Sequence, residues 1–352
     1  MGTKRITALL LAALAVCGLT GCGGTRDPNE AQESIQVIAM DTAMVLTAYG
    51  KESTRAVYDA EEEIRRLDAL LSRTSGSSEI SMLNDAGGEM VPVGAEICTL
   101  IQTAGHFTEA TGGAFDITIA PVVSAWGFTT DSYQVPDQEE LQALLEHVGM
   151  EHVHLSGANA SLDPGTMIDL GGIAKGYTAD RVAEIFQQHE VPRGKVELGG
   201  NILVIGDKPD GTAWRVGVQD PKRPDEADGL VCVLNLTDAF AVTSGSYQRY
   251  FEQDGKRYHH IIDPATGYPA DSGLTSVTVV ADSAQGNGTM CDALSTALFV
   301  MGEDKALDFW RSGVYDFQLV LVTEDGRVVV TEGLKDGFVE MEESGYTYEF
   351  VS

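Results

Sequence analysis

Basic side chains are scarce in this chain of 352 residues: 23 Lys and Arg stand against 53 Asp and Glu, a formal net charge of −30. A surface that acidic repels phosphate backbones, which argues against nucleic acid as a partner. It also sets a condition on any anionic small ligand, because a cation or a group of backbone amides must reverse the field where that ligand sits. Cysteine is nearly absent, with five in all. Cys17 and Cys22 belong to the first segment, and Cys98, Cys232 and Cys291 are an odd three in apolar stretches. Their spacing fits neither a disulfide framework nor a zinc site, so they read as small core residues. No Walker loop and no GxGxxG after a strand is present, which removes the ordinary P-loop and Rossmann readings. Long apolar runs are missing too. The run from Ala8 to Val16 is too short to span a bilayer as a helix.

That short run has a different use. It follows Lys4 and Arg5 and precedes Leu19-Thr20-Gly21-Cys22, which resembles a bacterial lipoprotein processing site. Residues 1–21 are therefore expected to be a signal peptide, with Cys22 lipidated and the mature protein anchored on the outer side of the cytoplasmic membrane. Residues 22–34 are polar and without periodicity, and read as a flexible tether. Residues 35–352 show no second linker and no repeat, and read as one body.

Alternating apolar positions predict strands at about 36–49, 195–206, 213–218, 230–236, 258–262, 274–281, 316–323 and 326–331. Helical spacing marks 53–72, where Val57, Ala60, Ile64, Leu67 and Leu71 share a face. Further helices are expected at about 95–111, 137–148, 173–189, 288–301 and 303–311. The mixture lacks a βαβ rhythm, so the expected class is α+β with largely antiparallel sheets and packed helices.

Five segments can carry chemistry. Asp169-Leu-Gly-Gly-Ile-Ala-Lys-Gly-Tyr177 sets a glycine pair before a helix start, where a ligand can approach backbone N–H groups, although such a turn is as often purely structural. Glu197-Leu-Gly-Gly-Asn201 is a second such turn. His259-His260-Ile-Ile-Asp-Pro-Ala-Thr-Gly267 places imidazoles, a carboxylate and a hydroxyl at a strand end. Neighbouring strand residues face opposite sides, so only one histidine can enter a given site, and His260 is the preferred one. Asp292 and Thr296 stack at i, i+4 as hard oxygen donors of the kind Mg²⁺ takes, yet on spacing alone the better reading is an acidic residue near a helix start with an ordinary helical Thr. The stretch Thr111 to Phe128 reads as a glycine cap followed by a buried strand and two core aromatics, with Asp116 available to read a flat ring.

In this order the segments resemble the ApbE family of flavin transferases. The resemblance runs through Met40-Asp-Thr42, Leu71-Ser72, Ser78-Glu79, Leu83-Asn84, Ala114-Phe-Asp116, Asp169 to Asp180, Gly199-Gly200, Val242 to Gly245, His260 to Gly267 and Asp292 to Thr296. It implies an ApbE-like (T-fold-like) single body. It implies a Mg²⁺-dependent transfer of FMN from FAD, its substrate, to a Thr or Ser hydroxyl of an exported target protein, with AMP released. FAD would lie near Met40, Thr74, Ala114, Phe115, Asp116, Gly171, Tyr177 and Ile262. Mg²⁺ would be held by the Ala174 carbonyl, Asp292 and Thr296, with Ser295 close, and His260 would be the general base. Exported domains of membrane redox complexes are the implied acceptors, which suits a catalyst anchored at the same membrane. Two positions depart from the family pattern. Asp41 stands where glycine is usual, and Thr74 stands where many relatives carry an aromatic that covers the flavin. A FAD pyrophosphatase or a flavin-binding lipoprotein are the rival functions, told apart by AMP release with and without acceptor.

Overall fold

The computed structural model describes residues 31–352 apart from 131, 227 and 343. The expected signal peptide, the Cys22 anchor and most of the tether lie outside the described residues. Residues 32–34, expected in the tether, already belong to the first strand.

In chain order the strands are β1 (Gln32–Ala39), β2 (Thr42–Tyr49), β3 (Val91–Pro92), β4 (Val153–Ser156), β5 (Asn159–Leu162), β6 (Arg193–Leu198), β7 (Asn201–Ile205), β8 (Trp214–Gln219) and β9 (Leu230–Leu236). They continue as β10 (Ala239–Gly245), β11 (Tyr250–Gln253), β12 (Lys256–His259), β13 (Leu274–Asp282), β14 (Gln318–Thr323), β15 (Arg327–Thr331), β16 (Phe338–Glu340) and β17 (Thr347–Val351). The helices are α1 (Ser53–Leu71), α2 (Glu79–Asn84), α3 (Gly94–Ala110), α4 (Ala120–Ala125), α5 (Gln138–Leu145), α6 (Ala174–Gln188), α7 (Asn287–Met301) and α8 (Glu303–Arg311).

One sheet of order β1-β2-β6-β7-β10-β13-β14-β15-β17 organises the body, antiparallel except for the last pair. Along β10, Phe240 and Val242 face the core under the helices, whereas Ala239 and Ala241 face a second core under the small sheet β16-β9-β8. Strict alternation thus lets one strand serve two apolar layers. Helices α1, α6 and α7 cover the first face. Helix α1 buries the predicted stripe of Val57, Ala60, Ile64, Leu67 and Leu71, and Ser53 and Ala56 with it. Helix α7 is buried almost all round, from Gly288 to Phe299, which makes it the central helix. Cys98, Cys232 and Cys291 are free and buried, as expected of core residues.

The expected α+β class with largely antiparallel sheets is what the fold shows. Several boundaries differ. The strand expected at 36–49 is a hairpin, broken where Met40 and Asp41 both take positive φ (49° and 56°). The strand expected at 195–206 likewise folds back at Gly199, whose φ of +68° needs no side chain. The strand expected at 258–262 ends at His259, and Ile262 makes only an isolated bridge to Pro269. No strand forms between Thr111 and Phe128; turns lead into α4, whose Pro121 suits a helix start. Strand β10, in the middle of the sheet, was not anticipated.

Candidate active site

Antiparallel register brings the ends of distant segments together. Met44 pairs with Leu198, Leu198 with Asn201, Asn201 with Val242, and Gly245 with Ser276. The Met40-Asp41 turn, the Gly199-Gly200 turn, the end of β10 and the start of β13 therefore share one end of the sheet. Thr42 lies so near Gly199 that a Cβ there would sit 3.1 Å from Thr42 Oγ1, and the Thr243 N–H donates to the Gly200 carbonyl at 3.0 Å.

At that end α6 and α7 cross at van der Waals contact. A Cβ on Gly176 would come within 2.2 Å of the Gly288 carbonyl oxygen and 2.6 Å of Asp292 Cβ, so only glycine fits. The closeness has a chemical result. The Gly176 N–H donates to Asp292 Oδ2 at 2.8 Å, so the α7 carboxylate caps the uncapped first turn of α6. One turn further along α7, the hydroxyls of Ser295 and Thr296 lie 2.8 Å and 3.3 Å from Ser244 Oγ of β10. Asp292 is 4 % exposed, Ser295 is buried, and Thr296 is partly open. Asp180, two turns along α6, grips the other end of the crossing by accepting from the Gly288 and Thr289 N–H groups and the Thr289 hydroxyl. Burial outweighs those bonds and pushes its carboxyl up to about 6.

The Ala174 carbonyl accepts the Thr178 hydroxyl at 2.7 Å, and that hydroxyl is 3.8 Å from Met40 Sδ, so the β1–β2 turn reaches the start of α6. The Met40 N–H is held by Asp68 at 2.9 Å. Gly171 is exposed, with its N–H donating to Asp169 Oδ1 at 2.8 Å. Asp169 in turn pairs with the nearly buried Arg73 at 2.9 Å, and Asn84 fixes the preceding residue by two bonds to the Ile168 backbone, 2.9 and 2.8 Å long. Phe115 packs against Gly172, where a Cβ would stand 3.1 Å from its ring, and Ala114 is partly exposed beside it. Asp116 is buried and spends Oδ1 on the N–H and hydroxyl of Thr118; burial raises its pKa. Tyr177 donates its hydroxyl to Glu96 at 2.7 Å, and Arg66 holds Glu96 from the other side at 2.8 Å.

The two histidines have different surroundings, although His260 lies just past the end of β12 and strand alternation does not set its direction. His259 is buried, donates Nε2–H to the Ala270 carbonyl at 3.1 Å and accepts the Ile261 N–H on Nδ1 at 3.3 Å, so both nitrogens are satisfied. His260 is partly exposed and its Nδ1 faces the Arg249 carbonyl at 3.2 Å. A carbonyl can only accept, so Nδ1 carries the proton and Nε2 presents a lone pair. Burial of the ring, followed by the charge of Arg249, pushes its pKa down to about 3, and Lys175 at the start of α6 adds to the effect. Ile262 is buried with Trp126 and Phe128 in a third apolar cluster, and the Phe128 ring stands 6.4 Å from that of His260.

The structure thus gathers Asp292, Ser295 and Thr296 around Gly176 and Ser244, brings Met40 to the Ala174 carbonyl through Thr178 on the same first turns of α6, and sets Phe115 near Thr296 across Gly172; Asp116 turns to Thr118 instead. Thr74 is exposed, and among the described residues its hydroxyl meets only Ser72, at 3.2 Å; its neighbour Arg73 reaches the glycine turn through Asp169. Ser244, Arg73, Asn84 and Asp68 were not singled out as site residues. Ser244 and Asn84 fell inside recognised motifs, whereas Arg73 and Asp68 gave no local signal. A cleft of about 510 Å³ lined by Asp238, Asp282, Asn287 and Tyr315 lies at the other end of β10 and holds none of the candidate residues. Among the described residues no group of three or more His, Cys, Asp or Glu is placed to hold a metal.

A helix-covered, largely antiparallel sheet with glycine turns and a buried carboxylate among hydroxyls at one end defines an α+β protein with an oxygen-lined site. The ApbE family model matches residues 40–319. The FAD:protein FMN transferase of Treponema pallidum (strain Nichols) is 33% identical over 344 residues, spanning 91% of this chain and 92% of its own. That of Escherichia coli (strain K12) is 31% identical over 335 residues, spanning 91% and 92%. The crystal structure of the ApbE protein from Thermotoga maritima aligns with a TM-score of 0.80 at 36% identity, covering 89% of this chain and 100% of that one. The flavin transferase ApbE from Vibrio cholerae aligns with a TM-score of 0.73 at 28% identity, covering 90% and 98%. The chain belongs to the ApbE family.

Proposed function

We infer that this chain is a FAD:protein FMN transferase; membership of the family over most of its length supports the activity. We further propose that it works with Mg²⁺, that the acceptor is a Thr or Ser hydroxyl of an exported protein, and that AMP leaves. The observation that carries the site assignment is the Asp292 carboxylate, buried against Gly176 and followed on α7 by Ser295 and Thr296 under Ser244.

That donor set fits the metal. One carboxylate, one carbonyl at Ala174 and two hydroxyls are hard oxygens of the sort Mg²⁺ takes, with the ligand's phosphates and water as further ligands. Asp292 spends one oxygen on Gly176, and a carboxylate has lone pairs left for a cation. When bound, the metal would neutralise charge on the pyrophosphate and offset the acidity of the protein.

The chain's own residues divide the remaining work. The Gly171-Gly172 turn, fixed by Asp169, Arg73 and Asn84, gives the dinucleotide a side-chain-free approach beside Phe115. The acceptor hydroxyl oxygen bonds to the FMN phosphorus while the bond from that phosphorus to the bridging pyrophosphate oxygen breaks. AMP carries the bridging oxygen away, and His260 Nε2 takes the hydroxyl proton. A Cys22 lipid anchor would keep the enzyme beside acceptors in exported domains of membrane redox complexes.

The test incubates the protein with FAD, Mg²⁺ and an exported flavoprotein domain, following AMP and the acceptor's intact mass. A Mg²⁺-dependent gain of one FMN per acceptor is expected, and Asp292→Ala is expected to abolish it with the fold retained. AMP and free FMN without labelling would mean hydrolysis; no AMP would leave a binding protein; full activity in Asp292→Ala would remove the metal assignment.

A further inference from the structure

One row of side chains crosses the centre of the large sheet on its helix-covered face. Pair by pair it runs Met44, Leu198, Asn201, Val242, Val279, Leu319. Each is 2 % exposed or less, and all but Asn201 belong to the main apolar core. Asn201 is the polar member of that row, and its Nδ2 has no hydrogen-bond partner among the described residues. A buried amide N–H group without an acceptor destabilises the folded state, so its presence in an otherwise apolar row calls for a compensating role.

Its position supplies one. Val242 stands directly opposite Asn201, and Ser244 lies two residues further along β10 on the same face. Diagonal neighbours across an antiparallel pair are roughly 7–8 Å apart. Asn201 is therefore one diagonal step from the hydroxyl that meets Ser295 and Thr296, and it opens β7 directly below the Gly199-Gly200 turn. Neither glycine carries a side chain, and Gly200 leaves only 2.7 Å between a Cβ position and the Thr243 carbonyl, so the turn next to the buried Asn201 is bare backbone.

We propose that Asn201 is a substrate-contacting residue whose side-chain N–H group donates to an oxygen of the FAD pyrophosphate. This rests on the reading of the Asp292–Thr296 end as the dinucleotide site. An amide is suited to that place in so acidic a protein: it offers a donor without adding a negative charge, and it needs no counter-ion when the site is empty.

The experiment compares wild type with Asn201→Leu, which fills the same space without polar atoms, in EDTA so that metal-dependent turnover is stopped. FAD and riboflavin affinities are read by flavin fluorescence, and thermal stability is read without ligand. The expected result is roughly ten- to a hundredfold weaker FAD binding, the effect of one hydrogen bond to a charged group, with riboflavin binding unchanged and unliganded stability equal or higher. Unchanged FAD affinity, or equal losses for FAD and riboflavin, overturns the proposal while leaving the transferase reading in place. Absence of FAD binding by wild type both in EDTA and with Mg²⁺ would instead strike the transferase reading. Should Asn201→Leu fail to fold, the side-chain amide resonance of Asn201 in the wild-type protein serves: it shifts on adding FAD and not riboflavin, and a resonance indifferent to FAD overturns the proposal.

Discussion

His260 keeps its proton on Nδ1 because the Arg249 carbonyl faces that nitrogen, and this leaves Nε2 as the atom that can accept another. With a pKa of about 3 in the unliganded protein it is neutral at pH 7 but a weak base. Two phosphate charges nearby favour the imidazolium and raise that value. The acid limb of kcat, which reports the complex, is therefore expected at higher pH than any His260 limb in kcat/KM, which reports the free enzyme. His260→Asn should lose roughly 10²- to 10⁴-fold in kcat with FAD affinity largely kept; a collapse of affinity instead would make His260 a substrate holder. Asp41 gives a second residue-level expectation. Its φ of 56° lies in the left-handed region that glycine adopts freely, so Asp41→Gly should hold or raise stability by up to about 1 kcal/mol in chemical denaturation. A loss larger than that would mean the Asp41 side chain anchors the turn.

Helices α6 and α7 form the joint on which the site depends, gripped by Asp292 on Gly176 at one end and by Asp180 on Gly288 and Thr289 at the other. Asp180 makes the joint sensitive to pH. Its folded-state value of about 6 lies above the 3.8 of an ordinary Asp, so between those values the folded chain keeps a proton that the unfolded chain has released. Stability from this group is whole below about pH 4 and is lost as pH rises towards 6, by roughly 3 kcal/mol in all. The stability difference between wild type and Asp180→Asn should shift against wild type by about that amount between pH 4 and pH 6.5, measured by urea denaturation; a flat difference would show that Asp180 titrates normally. Elements of this kind were legible where a stripe was clear: α1, α3, α6, α7 and α8 lie within a residue or so of their predicted spans. The hairpins at Met40 and Gly199 were less so, since apolar alternation continues through both turns and only the backbone sign at Met40, Asp41 and Gly199 breaks it. Strand β10 escaped because Ala239 to Val242 is apolar on both faces, with one face turned to each core, so no alternation remains to read.

On the scale of the whole molecule the motifs were readable one by one, but the contacts that join them were not. Arg73 and Asp169 are far apart in the chain, as are Gly176 and Asp292, and nothing in either local sequence announces the pairing. What composition did announce is a conflict between a net charge of −30 and a dinucleotide that is itself an anion. Long-range repulsion of this kind is screened over roughly 8–10 Å at physiological ionic strength, whereas contacts inside a partly closed site are screened much less. Moderate NaCl should therefore strengthen metal-free FAD binding instead of weakening it, and Mg²⁺ should strengthen it beyond NaCl at equal ionic strength, because it acts in the site as well as around the protein. Titrations in EDTA at about 10 and 150 mM NaCl, with a third in Mg²⁺ at matched ionic strength, decide the matter. Affinity that falls with salt would mean that Lys175, Arg73 and Arg249 already make the site locally positive, and a Mg²⁺ effect no larger than that of NaCl would take the cation away from Asp292.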